Sequence, residues 1–470
     1  MAELSEVNFI RSTDTHNDHM ASYLSEYYRL PSDWRTNFTH PQEPNGTPGF
    51  FRFGPEGICF GRCQSGPTEV IPSLHLHDAL PETQIEDHTV SLPFEPAEII
   101  DNLRMERYAR PNGASRGGLA GNALVRKAYY GFRSLLPPKA RRKFQRFYLR
   151  GWQELPFPKW PVDFSVDTLH ERLLRLSMDA MGVDRVPFIW FWPNGAPSCV
   201  MMTHDIETVV GLNFVPNLMD MDDAHGIKAS FQIVPVGRYE IPNDFIQKIR
   251  NRGFEANVHD LKHDGSLFQD YDRFVSQAQK INEHTRHFQS SGFRSGAMYR
   301  NQEWFEALDI SYDMSVPNVA HLEPQRGGCC TVMPYRIGKI LELPLTMTQD
   351  YSLFHMLGDY SIELWKTECT LILRRNGLIS FIAHPDYLIE ARARSAYLEL
   401  LSYLSNLIAK HKIWTALPGD INRWWRNRSQ MQLIPDGDGW RIEGPDKDRA
   451  RIAYAVKDLD KLVYSLPEAS

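Results

Sequence analysis

Two acidic residues, Asp205 and Glu207, stand where a strongly apolar stretch of the sequence ends. Residues 199–202 read CVMM, the composition of a buried strand, and the acids follow almost directly. Side chains at positions i and i+2 of a strand point to the same side. We therefore expect both carboxylates to face one point in space, at the end of a core strand.

Two histidines form a second candidate site in the stretch GFEANVHDLKHDG. His259 ends a predicted strand and His263 follows four residues later. On one helical turn, residues four apart share a face, so two imidazoles so placed can bind one divalent metal. A carboxylate would supply the third ligand. Three protein ligands leave open positions for water and substrate, which is the catalytic arrangement of such sites.

Three further polar residues follow short apolar runs. Arg294 is suited to hold a carboxylate through its planar guanidinium. Asp313 ends another predicted strand, and His384 ends the apolar run 378–383. A strand-end histidine beside an acid is a candidate general acid. We expect Asp386 or another carboxylate, with Asp313 a candidate, to accept the ring N–H of His384 and hold the ring.

The elements that position these residues alternate between strand and helix. From residue 197 short apolar runs alternate with amphipathic segments, which predicts a parallel α/β sheet or barrel. In such folds the site lies at the carboxyl ends of the strands. The predicted regions are a mixed N-terminal accessory region with short strands (1–110), a linker with a basic helical segment (111–195), the barrel (196–426) and a C-terminal β-hairpin appendage (427–470).

The order and spacing of these groups resemble the polysaccharide deacetylase family, with its NodB homology domain and its relation to carbohydrate esterase family 4. MTHDIE resembles the first motif in its Thr-His-Asp-Val-Asp form, and GFEANVHDLKHDG resembles the second. FRSG, YDMSVP and FIAHPDY resemble the third, fourth and fifth. The resemblance covers roughly residues 196–420, about half of the chain.

This resemblance implies a distorted (β/α)7-type barrel and a metal-dependent amidase. It assigns Asp205 as the catalytic base, Arg294 as the group that orients it and His384 as the general acid. Asp313, in the fourth motif, is the fourth residue expected to be catalytic. The resemblance assigns the metal to Glu207, His259 and His263, with Asp205 as the alternative to Glu207. The expected metal is Zn²⁺, with Co²⁺, Ni²⁺ and Mn²⁺ as alternatives.

The chain departs from the family pattern at three places. Glu207 stands where the family has Asp, and Asp260 stands where it has Thr or Ser. The third motif lacks its proline, because Ser295 and Gly296 follow Arg294 directly.

The function that this resemblance implies is removal of an acetyl group from an N-acetylated glycan or glycan-lipid in bacterial cell-surface glycan assembly. Two alternatives remain open. The same fold resembles cofactor-independent allantoinases and cyclic-imide hydrolases, and a non-catalytic glycan-binding protein could retain the barrel. Metal content would distinguish the enzymes from the binding protein.

The composition and the sequence limit the possible binding partners and the cellular location. The 470 residues carry a formal net charge of −6, which gives no general case for nucleic-acid binding. Residues 107–153 contain no acid and many Lys and Arg, so peripheral membrane contact through 126–150 is a further expectation. The sequence shows neither a secretory signal nor an apolar stretch long enough to span a membrane, and its six cysteines form no C-x-x-C pair. We expect a cytoplasmic protein, and oligomeric state is open.

Overall fold

The computed structural model describes residues 23–34, 36–41, 46–73, 75–109, 149, 151–459 and 461–467. The strands are β1 (Asn37–Thr39), β2 (Gly49–Arg52), β3 (Ile58–Gly61), β4 (Gln84–Glu86), β5 (Thr89–Ser91), β6 (Arg185–Ile189), β7 (Cys199–Ile206), β8 (Ala229–Ile233), β9 (Glu255–His259), β10 (Gly292–Arg294), β11 (Tyr312–Asp313), β12 (Tyr335–Ile337), β13 (Ile340–Glu342), β14 (Leu378–Ile382), β15 (Trp414–Thr415), β16 (Gln432–Asp436), β17 (Gly439–Glu443), β18 (Ile452–Asp458) and β19 (Lys461–Ser465).

The α-helices are α1 (Pro96–Arg104), α2 (Ser165–Ala180), α3 (Val209–Ala224), α4 (Phe245–Asn251), α5 (Tyr271–His287), α6 (Glu363–Leu373), α7 (Pro385–Leu388), α8 (Ala391–His411) and α9 (Pro418–Gln430). Within the parts of the chain just given, no helix is both long enough and apolar enough to cross a bilayer.

The expected distorted (β/α)7-type barrel is confirmed. In the described part of the chain, seven strands run parallel in the order β13-β11-β10-β9-β8-β7-β14, and β12 adds an antiparallel edge beside β13. Helices separate most of these strands in the sequence, as parallel connections require. All eight residues of β7 are buried, since the strand lies inside the sheet between β14 and β8.

An irregular segment after β13 brings the two ends of the sheet together. The backbone N of Leu345 donates to the carbonyl oxygen of Val316 (2.9 Å), and that of Met347 donates to the carbonyl oxygen of Ser380 (3.2 Å). Thr346 adds side-chain hydrogen bonds to the backbone of β14. The barrel is therefore closed by a few hydrogen bonds along 345–347 and not by a regular strand. This irregular closure distorts the barrel.

A hairpin is present in each flanking region, and the C-terminal one is the predicted appendage. β2 and β3 pair antiparallel across the turn at Pro55, and β16 and β17 pair antiparallel across the DGDG turn. β6 pairs antiparallel with β18, which joins residues 185–189 to the C-terminal tail. The predicted domain boundaries remain predictions. The basic segment 126–150 lies outside the described residues apart from the buried Leu149, so its membrane contact also stays a prediction.

Arg428 on α9 links the regions on either side of the barrel. Its side chain is buried, and its guanidinium donates at 2.7–2.9 Å to the backbone carbonyl oxygens of Tyr27, Ile189 and Trp190. A buried cation needs such partners because water is excluded. The contact therefore fixes the backbone at Tyr27 and the end of β6 against α9.

We predict that Arg428→Ala destabilises the whole protein. Three buried carbonyl groups would lose their donor, at about 1–3 kcal/mol each, so a loss of about 3 kcal/mol or more is expected. Chemical denaturation would measure it. The matched control is Arg423→Ala on the same helix, because Arg423 is exposed and its ion pair in the described part of the chain is with the exposed Asp420. Equal stability of the two variants would contradict this role for Arg428.

Candidate active site

The two acids of the first motif face the barrel mouth together, as predicted. Asp205 lies in β7 and Glu207 lies one residue beyond its end. Asp205 Oδ2 is 3.6 Å from Nε2 of His259, and Glu207 Oε1 is 3.0 Å from Nε2 of His263. Each acid therefore faces a different histidine of the second motif.

The two histidines meet as predicted, but not on a helical turn. Their ring centroids are 4.8 Å apart. Residues 260–270 form an irregular turn in which Asp260 (φ 56°) and His263 (φ 52°) are left-handed. Arg238, which the sequence analysis missed, supports this turn by donating to the backbone carbonyl oxygens of Lys262 (3.2 Å) and His263.

Glu207, His259 and His263 have the donor atoms of a metal site. One ligand atom from each lies within 4.8 Å of those of the other two. Nδ1 of His259 lies 3.1 Å from the backbone carbonyl oxygen of Arg294, which fixes the ring with its proton there. Nε2 of His259 is buried and has no hydrogen-bond partner among the described residues. Burial lowers the pKa of His259 to about 4, so the ring is neutral and offers a lone pair. This donor set fits a divalent metal.

Asp205 is held by the predicted arginine. Nη1 of Arg294 donates to Asp205 Oδ1 (3.0 Å) and to Thr203 Oγ1 (2.8 Å), and Nε donates to the carbonyl oxygen of Met314 (3.0 Å). Burial opposes ionisation of Asp205, but Arg294 and His259 outweigh it, and the pKa of Asp205 lies below its usual range. Asp205 is therefore a carboxylate that accepts hydrogen bonds at neutral pH.

His384 reaches the same cavity, and a carboxylate holds its ring as expected, but this carboxylate is neither of the two named candidates. Its Nε2 lies 3.9 Å from Glu207 Oε1. Its Nδ1 lies 2.6 Å from Oδ1 of Asp350, and its backbone N donates to Oδ2 of the same residue (2.7 Å). Asp350 therefore holds the ring, in place of Asp386 or Asp313. Burial would lower the pKa of His384, but Asp350 raises it to about 10, so the ring carries two protons at neutral pH.

The chain that leads to Asp350 is fixed two residues earlier, at Thr348. The carboxyl group of Glu368 on α6 accepts hydrogen bonds from N (3.1 Å) and Oγ1 (2.6 Å) of Thr348, and Nε1 of Trp365 donates to the carbonyl oxygen of Thr348 (2.6 Å). A π-helical turn, Ser352–Leu357, follows directly. Such turns are frequent at functional sites.

Asp313 lies in the layer behind Arg294. Its carboxylate accepts hydrogen bonds from the backbone N and the Oγ of Ser315, both at 2.8 Å. Burial raises the pKa of Asp313 and of its neighbour Glu342. Its catalytic role stays a prediction, and the contacts described here assign it a supporting place.

Comparisons with known proteins give structural likenesses only. No family model matches the sequence, and no curated protein matches it. An assigned polysaccharide deacetylase from Mycobacterium smegmatis is 18% identical, with 51% of this chain and 93% of that chain covered and a TM-score of 0.42. An assigned polysaccharide deacetylase from Pseudomonas aeruginosa is 14% identical, with 50% and 93% covered and a TM-score of 0.40. PuuE allantoinase is 13% identical, with 50% and 92% covered and a TM-score of 0.40.

We predict that the two acids of the first motif differ in their effect on metal binding. Glu207→Ala removes a ligand and should abolish tight binding of one Zn²⁺ per chain, measured by elemental analysis after dialysis. Asp205→Asn should retain the Zn²⁺, because Oδ1 of Asp205 is taken by Arg294 and the three ligand atoms that converge belong to Glu207, His259 and His263. Loss of metal in Asp205→Asn with retention in Glu207→Ala would make Asp205 the ligand.

Proposed function

We propose that this protein is a metal-dependent hydrolase that removes the acetyl group from an N-acetylated sugar. One observation carries the proposal. An ionised carboxylate, Asp205, and a protonated imidazole, His384, flank the Glu207–His259–His263 set, at 3.6 Å from His259 and 3.9 Å from Glu207 respectively. Hydrolysis of an amide needs a base for water and an acid for the departing amine, and these two groups can fill those roles.

The residues that would hold the metal are Glu207, His259 and His263, and their nitrogen and oxygen donors favour Zn²⁺ among the divalent ions considered. When such an ion is bound, the chemistry it supplies is polarisation of the acyl oxygen and a lower pKa for water.

The chain's own groups carry the protons. Asp205 accepts a proton from the attacking water while the water oxygen bonds to the acetyl carbon, and Arg294 keeps the carboxylate in place through its Oδ1. His384 then donates its Nε2 proton to the sugar nitrogen as the C–N bond breaks, which releases acetate and a free amine. Asp350 keeps the opposite nitrogen of His384 protonated and so directs Nε2 toward the cavity.

The motif resemblance supports a glycan or glycan-lipid as the substrate. We extend the proposal to bacterial cell-surface glycan assembly in the cytoplasm, with peripheral contact to the membrane. The basic composition of 126–150 supports that contact, because Lys and Arg attract anionic headgroups.

The test is acetate release by Zn²⁺-loaded protein from N-acetylglucosamine oligomers. We expect stoichiometric acetate and new free amines, and loss of both after chelation. Hydrolysis of allantoin without acetate release would favour the cyclic-amide alternative. Bound Zn²⁺ with no turnover of either substrate, and with affinity for the oligomers, would favour a non-catalytic glycan-binding protein.

We predict that His384→Ala lowers the turnover number by about 10²–10⁴-fold while melting temperature and Zn²⁺ content stay close to wild type. Asp350→Asn should lower it in the same direction, because an amide cannot hold the charged ring as the carboxylate does. His287→Ala, on the exposed face of α5, is the matched control. Full turnover in folded, Zn²⁺-loaded His384→Ala would remove this residue from the mechanism.

A further inference from the structure

The peptide group between Ile206 and Glu207 is held at both of its ends by side chains from other parts of the barrel. The hydroxyl of Tyr239 donates to the carbonyl oxygen of Ile206 (2.9 Å). The backbone N of Glu207 donates to Oδ2 of Asp386 (3.1 Å). A peptide group is planar, so fixing its oxygen and its N–H fixes the direction in which the chain enters Glu207.

Tyr239 connects this peptide to the neighbouring strand. Its oxygen accepts a hydrogen bond from the backbone N of Val234 (2.9 Å), the residue directly after β8. The hydroxyl is thus both donor and acceptor, which leaves it a single orientation. The end of β7 is therefore tied to the end of β8 at the point where Glu207 begins.

Asp386 connects the same peptide to the end of β14, two residues after His384. Its second oxygen accepts a hydrogen bond from Oγ1 of Thr208, the residue that caps the N-terminus of α3. A Cβ atom at Gly211 would lie 2.2 Å from Asp386 Oδ2. The first turn of α3 thus leaves room for this carboxylate only because residue 211 is glycine.

We propose that Tyr239 and Asp386 are positioning residues for the metal ligand Glu207. Glutamate has one more rotatable bond than aspartate, and the Glu207 side chain is 20% exposed, against 4% for that of Asp205. Fixing the backbone of Glu207 limits the volume that its carboxylate can reach. The inference rests on the proposed metal site and assigns two residues outside the ligand set to it.

The experiment measures Zn²⁺ affinity, by competition with a chromophoric chelator, in variants whose folding is verified by circular dichroism. Tyr239→Phe and Asp386→Ala should each weaken binding by about 10–100-fold, the usual effect of removing a group that orients a ligand. Tyr464→Phe is the matched control. It also removes a tyrosine hydroxyl bonded to a partner, Tyr28 at 2.7 Å, and should leave Zn²⁺ affinity unchanged.

A double-mutant cycle separates positioning from general destabilisation. In a Glu207→Ala background, Tyr239→Phe should cause no further loss of the residual Zn²⁺ affinity, because the residue that it positions is gone. An equal loss in both backgrounds would overturn the inference, as would unchanged affinity in both Tyr239→Phe and Asp386→Ala. Wild-type protein without Zn²⁺ affinity would overturn the proposed metal site and this inference with it. Zn²⁺ binding without acetate release would overturn only the proposed reaction.

Discussion

The ion pair between Arg294 and Asp205 is the interaction on which the rest of the site depends. The Arg294 side chain is fully buried and that of Asp205 is 4% exposed, so both charges have lost nearly all contact with water. Burial of this kind costs several kcal/mol per ion and is offset only by close, well-directed hydrogen bonds. Arg294 supplies them to β7 through Asp205 and Thr203, and to the end of β11 through Met314. Its backbone oxygen also fixes the ring of His259. The proposed base and one proposed metal ligand therefore depend on the placement of one residue.

Two more acids, Asp313 and Glu342, lie near Arg294 behind this ion pair. Asp313 and Glu342 are both buried at the ends of adjacent strands. Burial raises the pKa of Glu342 well above its usual range, and Asp313 raises it further. One proton is therefore retained between the two carboxyl groups, since two neighbouring buried carboxylates cannot both ionise without a large cost. The charge of Arg294 is left for Asp205.

Much of this site could be predicted from the sequence because four of its groups directly end apolar runs. Asp205, His259, Arg294 and His384 stand at or next to the ends of regular parallel strands, and parallel strands present those ends at one edge. Asp350 could not be found in this way. It follows the irregular segment 345–347, which makes a few hydrogen bonds to β14 and to the chain after β11 without forming a regular strand, and such a segment leaves no periodic pattern. The helical turn expected at His263 is wrong for a related reason. Two left-handed residues, Asp260 and His263, bring the imidazoles together in an irregular turn.

The flanking regions illustrate a different limit. The two hairpins have local turn signals and were predictable, whereas the pairing of β6 with β18 joins residues far apart in the sequence. Nothing in either segment alone specifies its partner, since β-pairing depends on side chains that meet only in the fold. The role of Arg428 could not be predicted for the same reason, because its guanidinium binds three backbone carbonyl groups that are far from it in the sequence.

His204, the histidine of the first motif, lies between two inward-facing residues of β7 and has a structural place in the fold. His204 points outward from β7, as alternation along a strand requires. Its Nδ1 lies 2.9 Å from the carbonyl oxygen of Ala383, and its Nε2 lies 3.0 Å from Oδ2 of Asp222 on α3. Tyr397 on α8 donates to the other oxygen of Asp222 (2.6 Å). His204 directly precedes Asp205, the proposed base, and Ala383 directly precedes His384, the proposed acid. One outward-facing ring thus joins the strand that carries the proposed base to the end of the strand that leads to the proposed acid, beyond the five paired positions of the two strands.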